Sequence, residues 1–181
     1  MSQLVWLVDR GAALVASPAL YLAVLTGVLY NTEAFGVLNE AARRVHIELS
    51  VFAMLVTLLH AGVGLLDSWF VVSGQAPKPA YSMSYFGGGV VVGAGALLML
   101  VVAVLGFTDP GRFSRPWGPR VVHTFAYGGF AFATIHAAAI GTDVVGLVRP
   151  VVAPSLVFLL YVLLLRPLVL RGVAAHAASA Q

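Results

Sequence analysis

Four histidines are the residues in this sequence best suited to chemistry: His46, His60, His123 and His136. Each lies in or at the end of an apolar stretch, where an ionisable side chain is costly and usually functional. Neutral imidazole is also the commonest metal ligand. His46 and His60 are fourteen residues apart, which on an α-helix leaves them within ~40° of one face and ~21 Å apart along the axis. That places one near each edge of a hydrocarbon core about 30 Å thick. His123 and His136 share a later stretch expected to run in the same direction. His46 should therefore meet His123 at one depth, and His60 should meet His136 at the other. Each pair can grip an iron from both faces through its imidazole nitrogens, as in a bis-histidine haem. The plainer alternative is four unrelated polar residues, each bonded to a neighbouring helix. The fifth histidine, His176, lies in the C-terminal tail and is given no role.

The flanking residues repeat. Arg43 precedes His46 by three and Arg120 precedes His123 by three, while Asp67 follows His60 by seven and Asp143 follows His136 by seven. Residues at these spacings share a helix face. Arg43, Arg44 and Arg120 are candidates to pair with haem propionates, or they simply flank membrane segments. Asp67, Asp143 and Glu48 are candidates for a quinone or proton site; solvation or a structural hydrogen bond is the alternative for each. Gly93 belongs to a glycine-rich stretch with Gly87, Gly88, Gly89, Gly95 and Gly106. Missing side chains there make room for a flat cofactor or for close helix packing. His123 and His136 are only thirteen apart, a phase error of ~140° on an ideal helix. An irregular turn is expected between them, at Gly128-Gly129, because a glycine pair can tighten or kink a helix. On a regular helix one of the two could not be a ligand, and His123 is the one to doubt.

These residues need elements to hold them. Of the 181 residues, 60% are hydrophobic and 9% charged, against about 25% charged in a soluble domain. Mean hydropathy is +0.96. So little charge cannot maintain a water-facing surface, and the bilayer is the natural solvent. The sequence predicts one all-α domain, an integral membrane helical bundle over residues 1–181. Five transmembrane helices are expected at about 11–32, 45–68, 87–108, 120–142 and 150–170, with a four-helix haem-binding core. The first reads as a retained span rather than a signal peptide. Turn residues separate the stretches, as in Gly74-Gln75-Ala76-Pro77-Lys78-Pro79 and Asp109-Pro110-Gly111.

The net charge of +3 comes from basic residues scattered at the ends of apolar runs, which speaks for membrane topology and against nucleic acid. The absence of cysteine excludes disulfides, cysteine-ligated iron–sulfur clusters and covalent c-type haem. No phosphate loop or dinucleotide fingerprint is present.

The stretch Arg43-Arg44-Val45-His46 through Leu58-Leu59-His60 resembles the second helix of cytochrome b from the quinol-oxidising bc and b6f complexes. Pro119-Arg120-Val121-Val122-His123-Thr124-Phe125 through His136 is similar to that family's fourth helix. The resemblance covers spans one to four, the haem-bearing half, and implies two bis-histidine b-type haems stacked across a four-helix bundle. Two features depart from the family. The fourth helix is one residue shorter between its histidines, and the Pro-Glu-Trp-Tyr motif of the outer quinol site is missing.

The expected function is transmembrane electron transfer, as a small cytochrome b subunit of a respiratory or quinone-linked oxidoreductase rather than its catalytic subunit. Expected partners are quinone or quinol, other subunits of the complex and the lipid bilayer. A transporter or channel for haem or metal with a histidine-lined path is the alternative, and an anchor holding one haem through His60 and His136 a third. With five spans, Arg43, Arg44, Arg112, Arg115, Arg120, Arg166 and Arg171 share one side, and Arg10, Lys78 and Arg149 the other. The excess of positive charge puts the N-terminus outside and the C-terminus in the cytoplasm of the cell membrane. A topology reporter fused after Lys78 is expected to register outside and one fused at Gln181 inside; the reverse pattern would invert the assignment.

Overall fold

Long uninterrupted apolar stretches become long helices, because a helix satisfies its own backbone hydrogen bonds without water. The computed structural model describes residues 2–31, 36–75, 83–108, 118–140, 153, 156–161 and 164. They form an all-α arrangement of five α-helices: α1 Ser2–Asn31, α2 Asn39–Val72, α3 Met83–Thr108, α4 Gly118–His123 and α5 Phe125–Ile140. A short 3₁₀ turn, Gly36–Leu38, leads into α2. Three helices are long and apolar enough to cross a membrane: Gln3–Tyr30, Gly36–Val72 and Gly88–Gly106.

Several bounds differ from the sequence reading. Helix α1 begins at Ser2 rather than near residue 11, because Leu4, Val5, Trp6, Leu7 and Val8 continue its apolar run. Asp9 and Arg10 therefore lie inside the helix, with the Arg10 guanidinium 4.4 Å from the Trp6 ring centre. Helix α2 starts six residues before the expected span and ends four beyond it. Its C-terminus is closed by Gly74 at φ +73°. Gly74 N–H donates to Val71 O at 3.2 Å and Gln75 N–H to Phe70 O at 2.9 Å, the paired bonds of a glycine-terminated helix.

The fourth apolar stretch is two helices rather than one, broken at Thr124. Thr124 N–H is shared between Arg120 O and Val121 O, each at 3.1 Å, and Tyr127 N–H reaches back three residues to Thr124 O. The Thr124 hydroxyl also donates to Val121 O. A side chain that competes for a ladder carbonyl disturbs the helix there. The irregular turn thus falls at Thr124, not at the expected Gly128-Gly129, which lies within regular α5. Those glycines serve packing instead. A Cβ at Gly128 would lie 2.8 Å from Met99 Cε, and one at Gly129 2.8 Å from Leu100 Cγ and 3.1 Å from the Ala96 backbone oxygen. The fifth expected span lies mostly outside the described residues; within it, buried Leu159 packs against Val24 and Val28 of α1.

The helices associate as two halves. Helix α1 packs along α2, and α3 packs along α4 and α5; narrower seams join α1 to α5 and α2 to α3. Among the described residues no comparable seam joins α2 to α4 or α5. Mid-depth is filled by Ala19, Leu20, Ala53 and Leu100, with Met54, Phe130 and Ala133 against them. Ala53, fully buried, stands seven residues from both His46 and His60 and so shares their face. Large apolar side chains point outward, among them Leu55, Leu65, Leu98 and Leu105, a surface suited to lipid and far beyond the apolar patches of soluble monomers. Hydroxyls at Ser17, Thr26, Thr57, Ser68 and Thr134 each bond the carbonyl four residues back, so no water is needed to satisfy them.

Gly129→Val is expected to lower stability by about 1–3 kcal/mol through overpacking. Gly11→Ala, with no atom within 4 Å of the new Cβ, should leave it unchanged or raise it by up to about 1 kcal/mol. Melting temperatures in detergent compare the two.

Candidate functional site between the helix pairs

The four histidines bridge the space between the two halves. His46 of α2 faces His123 at the end of α4, with ring centres 6.1 Å apart and planes at 86°. His60 of α2 faces His136 of α5 at 5.9 Å and 64°. The pairs that share a depth in the sequence reading are the pairs the fold brings together. The break at Thr124 separates α4 from the helical phase of α5, so a thirteen-residue spacing no longer turns His123 away.

Three of these imidazoles, His46, His60 and His136, are hydrogen-bonded through Nδ1 to the neighbouring helix of their own half. His46 Nδ1–H donates to Ala23 O of α1 at 2.8 Å. His60 Nδ1–H donates to the Asp9 backbone oxygen, also of α1, at 3.2 Å, and the Asp9 carboxylate lies 2.8 Å from the same nitrogen. His136 Nδ1–H donates to Gly89 O of α3 at 2.7 Å. His123 lies against the backbone of Ala103, again on α3. A histidine whose Nδ1 carries the proton to an acceptor leaves Nε2 as a lone-pair donor, the usual arrangement behind a metal-binding imidazole.

Glycines make these bonds reachable. A Cβ at Gly27 would lie 2.8 Å from His46 Cε1 and 3.0 Å from its Nδ1. A Cβ at Gly93 would lie 2.8 Å from the same two atoms of His136. Gly27 follows Ala23, and Gly93 follows Gly89, by four residues, so each ring rests on the turn whose carbonyl it uses. Gly93 thus meets the site through His136.

A cavity of about 310 Å³ adjoins the His60–His136 pair. Its walls come from α1, α2, α3 and α5 and include Trp6, Asp9, Asp67, Gly93, Leu97 and His136. Most of the lining is apolar, with polar groups gathered around Asp9, Arg10, Asp67 and Ser68.

The other expected residues are placed less centrally. Arg43 is held by Glu40, with bonds of 2.9 Å from Nε to Oε2 and 2.6 Å from Nη2 to Oε1, and both side chains are exposed. Arg44, Arg120 and Glu48 are exposed. Asp67 is half-buried on the cavity wall. Asp143 lies outside the described residues. Asp9 is the site residue that sequence reading missed. Its signal was present, a carboxylate six residues into a run that continues to Asn31, but it fell outside the span when the helix was started near residue 11.

Chemically, each pair offers two facing nitrogen donors. Among the described residues, no group of three or more His, Cys, Asp or Glu side chains is arranged to hold a metal ion. Residues 4–143, α1 through α5 and hence all four histidines, match the family described as a domain of unknown function (DUF8596). The chain belongs to this family. No curated protein and no solved structure matches it. The matched segment ends three residues beyond α5 and so spans the helices that carry all four histidines.

Gly27→Ala and Gly93→Ala are each expected to cost about 1–3 kcal/mol by driving a methyl group into an imidazole. Gly88→Ala, with open space at its Cβ, is the control. Thermal melts in detergent should separate them.

Proposed function

We propose that this chain is a multi-pass cytochrome b subunit of the cell membrane, holding two b-type haems, one between His46 and His123 and one between His60 and His136. The observation that carries the reading is the pair of facing imidazoles at 6.1 and 5.9 Å. Metal–imidazole bonds of about 2 Å on each side, with each ring centre about 1 Å beyond its nitrogen, put two axial ligands about 6 Å apart. Two protein nitrogens per site also suit a macrocycle that supplies four donors of its own. A bare zinc ion would need three or four protein ligands.

Three further features support the fit. The Nδ1 groups of His46, His60 and His136 are engaged by backbone acceptors, so these ring orientations are set in advance. The halves α1–α2 and α3–α4–α5 stand apart along the line between the histidine-bearing helices. The cavity beside His60 and His136 is bounded by Gly93 and by an apolar wall.

Haem b held by these two imidazole pairs would supply one-electron Fe(III)/Fe(II) chemistry. The chain's own residues do the remaining work. The four histidines fix two iron positions at different depths. Ala53, Leu20, Leu100 and Phe130 exclude water between them. The exposed apolar flanks hold the bundle in lipid, with the N-terminus outside and the C-terminus in the cytoplasm. A quinone or quinol and other subunits of a membrane oxidoreductase would be the exchange partners, with Asp67 and Glu48 as candidate proton-handling groups.

The test is spectroscopic. Purified protein is expected to be coloured, to give a b-type reduced-minus-oxidised spectrum and to contain two haems per chain. His60→Ala or His136→Ala should remove one haem and leave the other; His46→Ala or His123→Ala should do the converse. A colourless preparation would favour a transporter, and two haems surviving His60→Ala would refute the ligand assignment.

A further inference from the structure

The two histidine pairs are built alike except at one position. His46 and His136 each donate Nδ1–H to a backbone carbonyl, and His123 lies against the backbone of Ala103. His60 donates to the Asp9 backbone oxygen at 3.2 Å, and alone among these four it also has a carboxylate at that nitrogen, Asp9 Oδ1 at 2.8 Å, with the two side chains only 24% and 25% exposed. The contact is confined from behind, since a Cβ at Gly64 would lie 3.3 Å from Asp9 Oδ1. The carboxylate is thus held against the far side of the imidazole, with its other face toward the apolar cavity.

We propose that Asp9 is a positioning residue that sets the reduction potential of the iron held by His60 and His136 below that of the iron held by His46 and His123. This rests on the reading of these histidines as haem ligands. The physical route is short. A carboxylate beside the Nδ1 proton favours positive charge on the ring and makes the imidazole a more basic donor at Nε2 than a carbonyl alone does. A stronger and more anionic donor stabilises Fe(III) over Fe(II). The same oxygen, in a poorly solvated setting, acts over the ring with little screening. Neither effect reaches the second pair, which lies about 20 Å away along α2. Two irons with chemically similar axial pairs are thereby made unequal by one side chain of α1, giving electrons a preferred resting site at the His46–His123 pair.

The experiment uses the full chain in detergent or nanodiscs, with equilibrium redox titration of the haem absorbance and electron paramagnetic resonance of the ferric state. In wild type, two one-electron components are expected. Asp9→Asn, nearly isosteric, should leave two haems per chain and shift the oxidised-to-reduced ratio of the lower component at fixed potential at least tenfold toward reduction. That is an upward shift of about 59 mV or more. The other component should stay in place. The largest ferric g-value of the moved component alone should change. His60→Ala, by removing one haem, identifies which component is which. Two haems with both midpoints unmoved in Asp9→Asn would overturn the role of Asp9 while leaving the ligand assignment intact. A wild-type protein without haem would overturn both. Where Asp9→Asn fails to accumulate, Asp9→Ser is read by the same criterion, and loss of the haem in both assigns Asp9 to folding and refutes the proposal.

Discussion

An imidazole in a water-poor interior has two ring nitrogens to satisfy, and the arrangement of this protein follows from how it satisfies one of them. An unpaired polar group there costs several kcal/mol. The carbonyls that accept from the ring must come from helical turns that already use them, so the histidine has to lie flat against a neighbouring helix. His46 and His60 on α2 are tied in this way to α1, and His136 to α3. Those ties follow the main packing seams. Helix pairing and ring orientation are therefore one problem with one solution, and it leaves the rings of the two halves facing each other in pairs.

Glycine is what lets the solution close. An imidazole can reach a carbonyl on an adjacent helix only where no Cβ stands over the turn. Gly27 and Gly93 meet that need for one ring in each pair. Gly128 and Gly129 perform a different service, bringing α5 onto α3 through Met99 and Leu100. The two uses differ in what approaches the backbone, a polar ring or an aliphatic chain, and they account for why small residues concentrate on α3 and α5. Between the two histidine levels the interior is conventionally apolar around Ala53 and Leu20, and outside it the large side chains face lipid.

The near-symmetry of the two pairs draws attention to where it fails. Thr124 breaks the fourth apolar stretch just after His123, and that break lets a short spacing serve two levels. Asp9 adds a carboxylate beside the carbonyl at His60 alone. Both departures come from single polar side chains acting at short range on backbone or ring. Both lie at the level of hydrogen bonding rather than of hydrophobic pattern.

What the sequence determined by itself is what depends on composition and period. Long uncharged stretches specify helices whatever surrounds them, because the backbone bonds are internal. A fourteen-residue spacing specifies a shared face, because the helical repeat is fixed. Matched positions on two parallel stretches specify which histidines share a depth. The tertiary structure decided the rest. That Asp9 belongs to a helix and not to its approach, that it touches His60 fifty-one residues away, and that Gly27 seats His46 are contacts between helices, set by rotation and close approach that no local pattern encodes. The irregular turn marks the boundary between the two kinds of knowledge. Its need was legible in the thirteen-residue spacing, but its place at Thr124 was settled by which group won the carbonyl of Val121.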